Sequence, residues 1–389
     1  MLSEEALEKL SERLVNRIED LNVFMIKKLA SQLKNIGTLT PSQLREVFQS
    51  VKYGNNINEI VNKIAQINNA NVKDIYTIFE EVAKKNQKYA KQFYEYRNIS
   101  FISYDENEQL KNLVKALATR TSQLYLNISN SSAFGLLQAD GSIRYTKLSE
   151  VYQRLTDNAI LSISTGRESY EKVIKNTIKN IARNGIQYVD YSSRYHRRLD
   201  SSVRMNVMEG IRALENELQR QFGEEFGANG VEVVHHKNPA PDHSSNAQDG
   251  WFDVDGKQFS TEEYESINNR LKRKISTLNC YHYTIPIILG VSKPIYSEYE
   301  LKKDKESNLK GFEFEGKHYT NYEGTQLQRR IETEIRRCKD EKIGYENANL
   351  KEEASIVQKK ITHLTKKYKE LSKISGLPTK LERLKINKK

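Results

Sequence analysis

The stretch VEVVHHKNPAPDH, residues 231–243, decides how this chain is read. VEVVHH predicts a strand, and Pro241-Asp242 predicts a turn that aims the following side chain. The stretch also holds three of the chain's seven histidines: His235, His236 and His243. Further on, NCYH at 279–282 adds Cys280 and His282. With a single residue between them, those two side chains fall on one face of an extended segment. The two segments together form a candidate metal centre, a catalytic site or a structural knot.

Working outward from them, helical periodicity takes over. Leu7, Leu10, Leu14, Ile18, Leu21 and Met25 recur every three or four residues and predict an N-terminal helix with one apolar stripe. Thr40-Pro41 predicts a cap and start for a helix through PSQLREVFQSV. Further helices are predicted through VKDIYTIFEEVAKKNQKYAKQFYEY, through NEQLKNLVKALATRTSQLYLNIS, and at 147–163 and 167–184. SSAFGLLQADGS (131–142) reads as a loop and a boundary, and NGIQYVDY (184–191) as a turn followed by a strand. In LDSSVRMNVMEGIRALENELQ, Val203, Val207, Ile211, Leu214 and Leu218 share a face, with Asp200 or Ser201 as the cap.

WFDVDGKQF (251–259) and FEFEGKHYT (312–320) predict two hairpins, turning at Asp255-Gly256 and Glu315-Gly316. Trp251 is expected to pack under the first. Near the C-terminus Leu350, Ala354, Val357, Ile361, Leu364, Tyr368 and Leu371 alternate steps of four and three. That is a heptad seam, which packs on its own domain or joins a second copy. The expected class is α+β, predominantly helical, with long N- and C-terminal helices flanking a compact mixed core with short β-hairpins. The expected divisions are a helical region 1–142, a mixed core 143–345 and a basic tail 346–389.

The 389 residues carry a formal net charge of +11, which favours an acidic partner such as nucleic acid. The excess gathers at the C-terminus, where Lys359, Lys360, Lys366, Lys367, Lys369 and Lys373 are candidates for touching DNA phosphate. Two cysteines exclude a disulfide scaffold and fit a reducing compartment. MLSEEALEKLSERL is charged from its fourth residue, so no secretory leader is expected. No run approaches the roughly 20 apolar residues that cross a bilayer. A soluble, intracellular protein without a membrane partner is the expectation.

Zinc takes N, S and O donors in a tetrahedron. The candidate ligands are His235, His243, Cys280 and His282, with His236 as an alternative to His235. Asp242 and Asn279 are candidate hydrogen-bond partners behind the ligands. Against a metal, structural zinc sites commonly show two close ligand pairs, and no C-x2-C occurs here. A catalytic alternative makes His236 the general base of a metal-dependent nuclease with His243 and His282. A late histidine on a helix, which nucleases of the His-Asn-His class require, is missing before Pro286. A Cys280 nucleophile with a histidine base lacks an evident third group.

These same segments carry a resemblance. NGIQYVDYSSRYHRRLDSSVRMNVMEGIR, VEVVHHKNPAPDHSSNAQDGWFDVDGKQF, NCYHYTIPIILGVSKPIYSEYEL and GKHYTNYEGTQLQRRIETEIRRCK follow in order over about 150–345. In that order they resemble tailed-phage minor capsid proteins of the second type, relatives of portal-associated head-morphogenesis proteins. The resemblance implies a structural role rather than an enzymatic one. It implies a place in the phage head near the portal vertex, with the host cytoplasm as the site of assembly, and portal and capsid proteins as partners. It places the family's histidine, aspartate-histidine and Asn-Cys-x-His elements on His235, Asp242-His243 and Asn279-Cys280-His282. An arginine of the pattern is absent from KNPAPDH, and Tyr281 stands where a basic residue is usual. Whether the cluster holds structural zinc or is a hydrogen-bonded knot stays open at this point.

Overall fold

Apolar residues at helical spacing run through most of the sequence, and helices are accordingly the scaffold. The computed structural model describes residues 4–36, 53–97, 100–137, 143–148, 150, 151, 154, 155, 169–190, 193, 195–278 and 280–386. Its helices are α1 (Glu4–Ile36), α2 (Tyr53–Arg97), α3 (Glu108–Asn130), α4 (Tyr170–Asn184), α5 (Leu199–Glu225), the short α6 (Pro241–Ser244), α7 (Thr261–Arg270), α8 (Glu298–Lys310), α9 (Asn321–Asn347) and α10 (Lys351–Ser375). Its strands are β1 (Ser132–Leu137), β2 (Ile143–Lys147), β3 (Ile186–Val189), β4 (His196–Arg198), β5 (Gly230–Val233), β6 (Gln258–Ser260), β7 (Thr284–Ile287), β8 (Phe312–Phe314) and β9 (Lys317–Tyr319). The chain is a predominantly helical α+β protein, and its described residues form three small antiparallel sheets, ordered β2-β1-β3-β4, β6-β5-β7 and β8-β9.

Three apolar clusters hold these elements together. The largest joins α1, α2, α3 and α5. Leu7, Leu14, Ile18, Leu21 and Met25 of α1 face Val203, Val207, Ile211 and Leu214 of α5, all buried. Each such side chain contributes about 1.5–3 kcal/mol by leaving water. At Gly210 a Cβ would meet Thr121 Oγ1 at 2.3 Å, so α5 crosses α3 at a distance that only glycine permits. The second cluster joins α4, α9 and α10 through Ile174, Ile178, Ile331, Ile335, Val357, Ile361, Tyr368 and Leu371. The third is small: Val233, Val254, Leu271, Ile275 and Cys280, with partly buried Phe252, Phe259, Tyr264 and Ile267 around them. So few apolar residues leave polar contacts a large share in ordering the region around the histidines.

Helix ends follow local chemistry. Asn107 caps α3 by accepting from Leu110 N at 2.9 Å. Ser297-Glu300 and Thr320-Glu323 form capping boxes on α8 and α9. Gly376 ends α10 in the left-handed region at φ 66°.

Several expectations are revised. Residues 132–137, read as loop, form strand β1, which pairs with both β2 and β3. The division placed at 142 therefore falls in the connection between two paired strands. The division at 345 falls within α9, whose Ile343 belongs to the first cluster with α1. α5 starts at Leu199 with Arg198 as its N-cap and no side-chain cap bond, so neither Asp200 nor Ser201 caps it. The turn at Asp255-Gly256 exists, with Gly256 at φ 72°, but 251–259 is not a hairpin. β6 pairs instead with β5, Val231 opposite Phe259. Trp251 is half-buried. The 312–320 hairpin is present as β8-β9. The helix opened by Pro41 and most of the helix placed at 147–163 lie outside the described residues.

The heptad seam is occupied within the chain. Ala354, Val357, Ile361, Tyr368 and Leu371 are buried against α9, with Tyr368 donating from Oη to Glu332 Oε1 at 2.8 Å. A second copy would have to displace α9 to use this face, so self-association through the seam loses the apolar surface it was expected to offer.

Candidate metal centre

The strand expected from VEVVHH ends at Val233, and the chain then turns to α6. Pro241 at the first turn of α6 suits a position whose N–H needs no partner, and it sets the backbone that buries His243. Cys280 and His282 lie on the irregular segment before β7, which pairs with β5. β5 thus brings the two histidine-bearing segments side by side. His243, Cys280 and His282 are 0, 5 and 4% exposed. Their ligand atoms lie within 4.8 Å of one another. Cys280 Sγ is 3.5 Å from His243 Nδ1 and 3.4 Å from His282 Nδ1.

The far sides of both rings are fixed. His243 Nε2–H donates to the carbonyl of Arg273 at 2.6 Å, and His282 Nε2–H donates to Asp255 Oδ1 at 2.9 Å. Each neutral ring therefore presents an Nδ1 lone pair to the same sulfur. One thiol proton can satisfy only one of those lone pairs, so the centre calls for additional positive charge. Burial opposes ionisation of Cys280, yet the bonds from His243 and His282 hold its thiol well below the ordinary range. Burial likewise works against a charged His282, but its bonds to Asp255 and Cys280 push it up to about 9. Without a metal this is a thiolate held beside a protonated His282; with one, the metal takes the place of the proton on the sulfur-facing Nδ1.

His235 is not part of this group. Its Nδ1–H donates to Asp255 Oδ2 at 2.7 Å and its Nε2–H to Asp304 Oδ2 at 3.0 Å. Facing a carboxylate at each nitrogen, the ring is held protonated, the bond to Asp255 being the main cause and burial the main opposition. His236 stacks on Tyr281, ring centroids 5.7 Å apart. Asp242 lies 3.7 Å from His243 Nε2 but spends both oxygens on Arg273, at 2.9 and 3.0 Å. Asn279 lies outside the described residues.

Asp255, Asp304 and Arg273 escaped sequence reasoning. Asp255 was legible only as a turn residue. It accepts from His235, from His282 and from the His236 backbone N–H at 2.8 Å. Burial would raise its pKa, and the histidine bonds hold it well below the carboxylate range. Beside the trio lies an open cleft of about 610 Å³, with Cys280, His282 and His236 in its wall. Its rim is tied to the chain ends: Glu8 of α1 accepts from Tyr281 Oη at 2.7 Å, from Lys380 Nζ at 3.4 Å and from Arg383.

The six candidate lysines divide. Lys360 Nζ sits on Glu334 at 2.6 Å and Lys367 Nζ on Glu315 at 2.6 Å. Lys359, Lys366, Lys369 and Lys373 are exposed. Spaced by seven, three and four residues, they share the face of α10 opposite the seam.

Among the described residues no helix is long and apolar enough to cross a membrane. Neither a curated protein nor a solved structure matches the chain significantly. The family model described as phage minor capsid protein 2 matches residues 2–372, nearly the whole length. A match of that extent takes in both long terminal helices as well as the histidine segments, so the chain belongs to the phage minor capsid protein 2 family, whose role in the phage head is structural.

Proposed function

We propose that this chain is a head component seated at the portal vertex, assembled there in the host cytoplasm, and that it bridges portal and capsid proteins to packaged DNA. The observation that carries the DNA contact is the lysine face of α10. Four ammonium groups stand in solvent on one side of a helix whose other side is locked to α9. Such a face engages phosphates without reading sequence. The heptad seam contributes rigidity to that face rather than an oligomer contact.

The test is reconstitution with the portal protein encoded by the same phage. The chain should co-purify with portal, and the complex should retain duplex DNA at low salt. Failure to bind portal or capsid protein under any assembly condition would remove the reading. Deleting 346–389 is a poor probe, because it strips Ile331 and Ile335 of their cover. Substituting the four exposed lysines leaves that packing intact.

A second reading, divalent-ion-dependent phosphodiester hydrolysis with His236 as base, is favoured by one observation: His236 shares the cleft wall with Cys280 and His282. Cleavage of duplex DNA in magnesium, manganese or zinc, abolished by His236→Ala, would support it. No cleavage with any of the three ions would end it.

A further inference from the structure

We propose that His243, Cys280 and His282 form a three-ligand zinc site whose fourth position opens on the adjoining cleft and takes an oxyanion of the phosphate class. This assignment is independent of portal and DNA binding by α10.

The argument begins with distances. With Zn–S about 2.3 Å and Zn–N about 2.05 Å, a tetrahedron has S···N edges of about 3.6 Å. The two S···N separations here are 3.5 and 3.4 Å, within about 0.2 Å of that value. Two imidazoles and a thiolate are the donors that zinc prefers over magnesium or calcium. The rings are also oriented as ligands are. Each has its remote nitrogen fixed by an acceptor, one a backbone carbonyl and one a carboxylate, which leaves both Nδ1 lone pairs directed at one point. The core cluster around the trio has only five buried residues, Cys280 itself among them, so a cross-link between α6 and the segment before β7 would add stability there.

Three protein ligands leave a tetrahedral ion one position short. Among the described residues no fourth His, Cys, Asp or Glu joins the group. Cys280 and His282 form part of the wall of the adjoining cleft, and we assign the open position to that side. Lys237, Arg273, Arg329, Lys380 and Arg383 line it, and among the described residues no aspartate or glutamate does. Arg273 is paired with Asp242, and Lys380 and Arg383 with Glu8, but Lys237 and Arg329 have no ion pair among the described residues. A cation at the floor and two uncommitted cations on the wall select a small, multiply charged oxyanion.

Elemental analysis of the purified full-length chain should find about one zinc per chain, lost in Cys280→Ser and His282→Ala and kept in His235→Ala. Should the ligand variants fail to fold, chelation of the wild-type chain gives the same information: metal removal should lower the Tm, and added zinc should restore it. The cobalt(II)-substituted chain should show a thiolate-to-cobalt charge-transfer band and intense tetrahedral visible bands. Added inorganic phosphate should shift the visible bands, and Lys237→Gln with Arg329→Gln should raise the phosphate concentration required by tenfold or more. No metal after loading with excess zinc would overturn the site. Visible bands blind to phosphate would overturn the open position. A phosphate response unchanged in the double variant would overturn the role of the cleft wall.

Discussion

Replacing Lys359, Lys366, Lys369 and Lys373 together with glutamine tests the DNA-facing assignment quantitatively. Lysine and glutamine have nearly equal helix propensity, and all four side chains are exposed, so α10 and its packing on α9 should survive. Each lysine that neutralises a phosphate of duplex DNA releases about 0.9 counterion. Four contacts give a slope of log affinity against log salt of about −3.6. Raising salt from about 50 to about 200 mM then weakens binding roughly 150-fold. The control is Lys360→Gln with Lys367→Gln. Their ammonium groups already sit on Glu334 and Glu315, so reaching DNA would cost them those pairs. If all six lysines worked, the slope would be about −5.4 and the control would remove about 1.8 of it. If four work, the control should change the slope by less than about 0.5 while the quadruple variant abolishes most of it. Fluorescence anisotropy on a labelled duplex at four or more salt concentrations reads both slopes. A quadruple variant with the wild-type slope would refute the assignment, and so would a control that loses slope in proportion to its two charges.

Two further outcomes concern stability. Glu19, Asp200 and Asp340 share two guanidinia, Arg198 and Arg336; Asp200 lies 3.3 Å from Arg198 and 3.1 Å from Arg336, while Asp340 is 3.7 Å from Arg198. Burial, with the neighbouring Glu19 and Asp200, therefore raises Asp340 from 3.8 to about 7. A carboxyl raised in the folded state contributes stability that is present below its unfolded pKa and lost as pH rises through the folded one. Asp340→Asn should match wild type near pH 4 and exceed it by up to ~4 kcal/mol above pH 7. Urea midpoints at the two pH values read the difference, and a variant equally weakened at both would contradict it. Leu371→Ala removes a fully buried side chain from the α9–α10 contact and should cost about 2–5 kcal/mol. Sedimentation should show the oligomeric state unchanged, because the seam is satisfied within one chain; dissociation on this substitution would reinstate the seam as an interface.

What the sequence showed depended on the range of the interaction. The stripes of α1, α5 and α10 were legible because helical periodicity is local, and each buries the residues that the spacing selects. β1 was hidden because SAFGLL is short and its partners β2 and β3 come from either side of a long gap. The 251–259 stretch misled because apolar side chains do not say which strand they pair with: β6 pairs with β5, Val231 opposite Phe259, while Phe252 and Val254 pack into the core cluster from an unpaired segment. Charge counting found six lysines but not the two whose position beside the seam brings them onto Glu334 and Glu315. Three of the four candidate ligands converge because two flank a single residue and the third opens a helix after a proline. His235 departs because β5 stops at Val233, so alternation no longer governs where its ring points.

That departure separates the histidine-rich segment into two structures joined by one carboxylate. Asp255 Oδ1 holds His282, and thereby the ring that faces Cys280, while Oδ2 holds His235, whose other nitrogen reaches Asp304 on α8. A carboxylate at this depth needs compensation, and the protonated His235 supplies it from the side away from the sulfur. The Nε2 side of His282 is therefore held through a chain that reaches α8: Asp255, with Asp304 behind it, raises the pKa of His235, His235 in turn keeps Asp255 ionised, and Asp255 accepts the Nε2–H of His282. His235 thus acts on the Cys280 centre without touching it. That is why a histidine beside the strand end can belong to the same pattern as the other three residues and still lie outside their cluster.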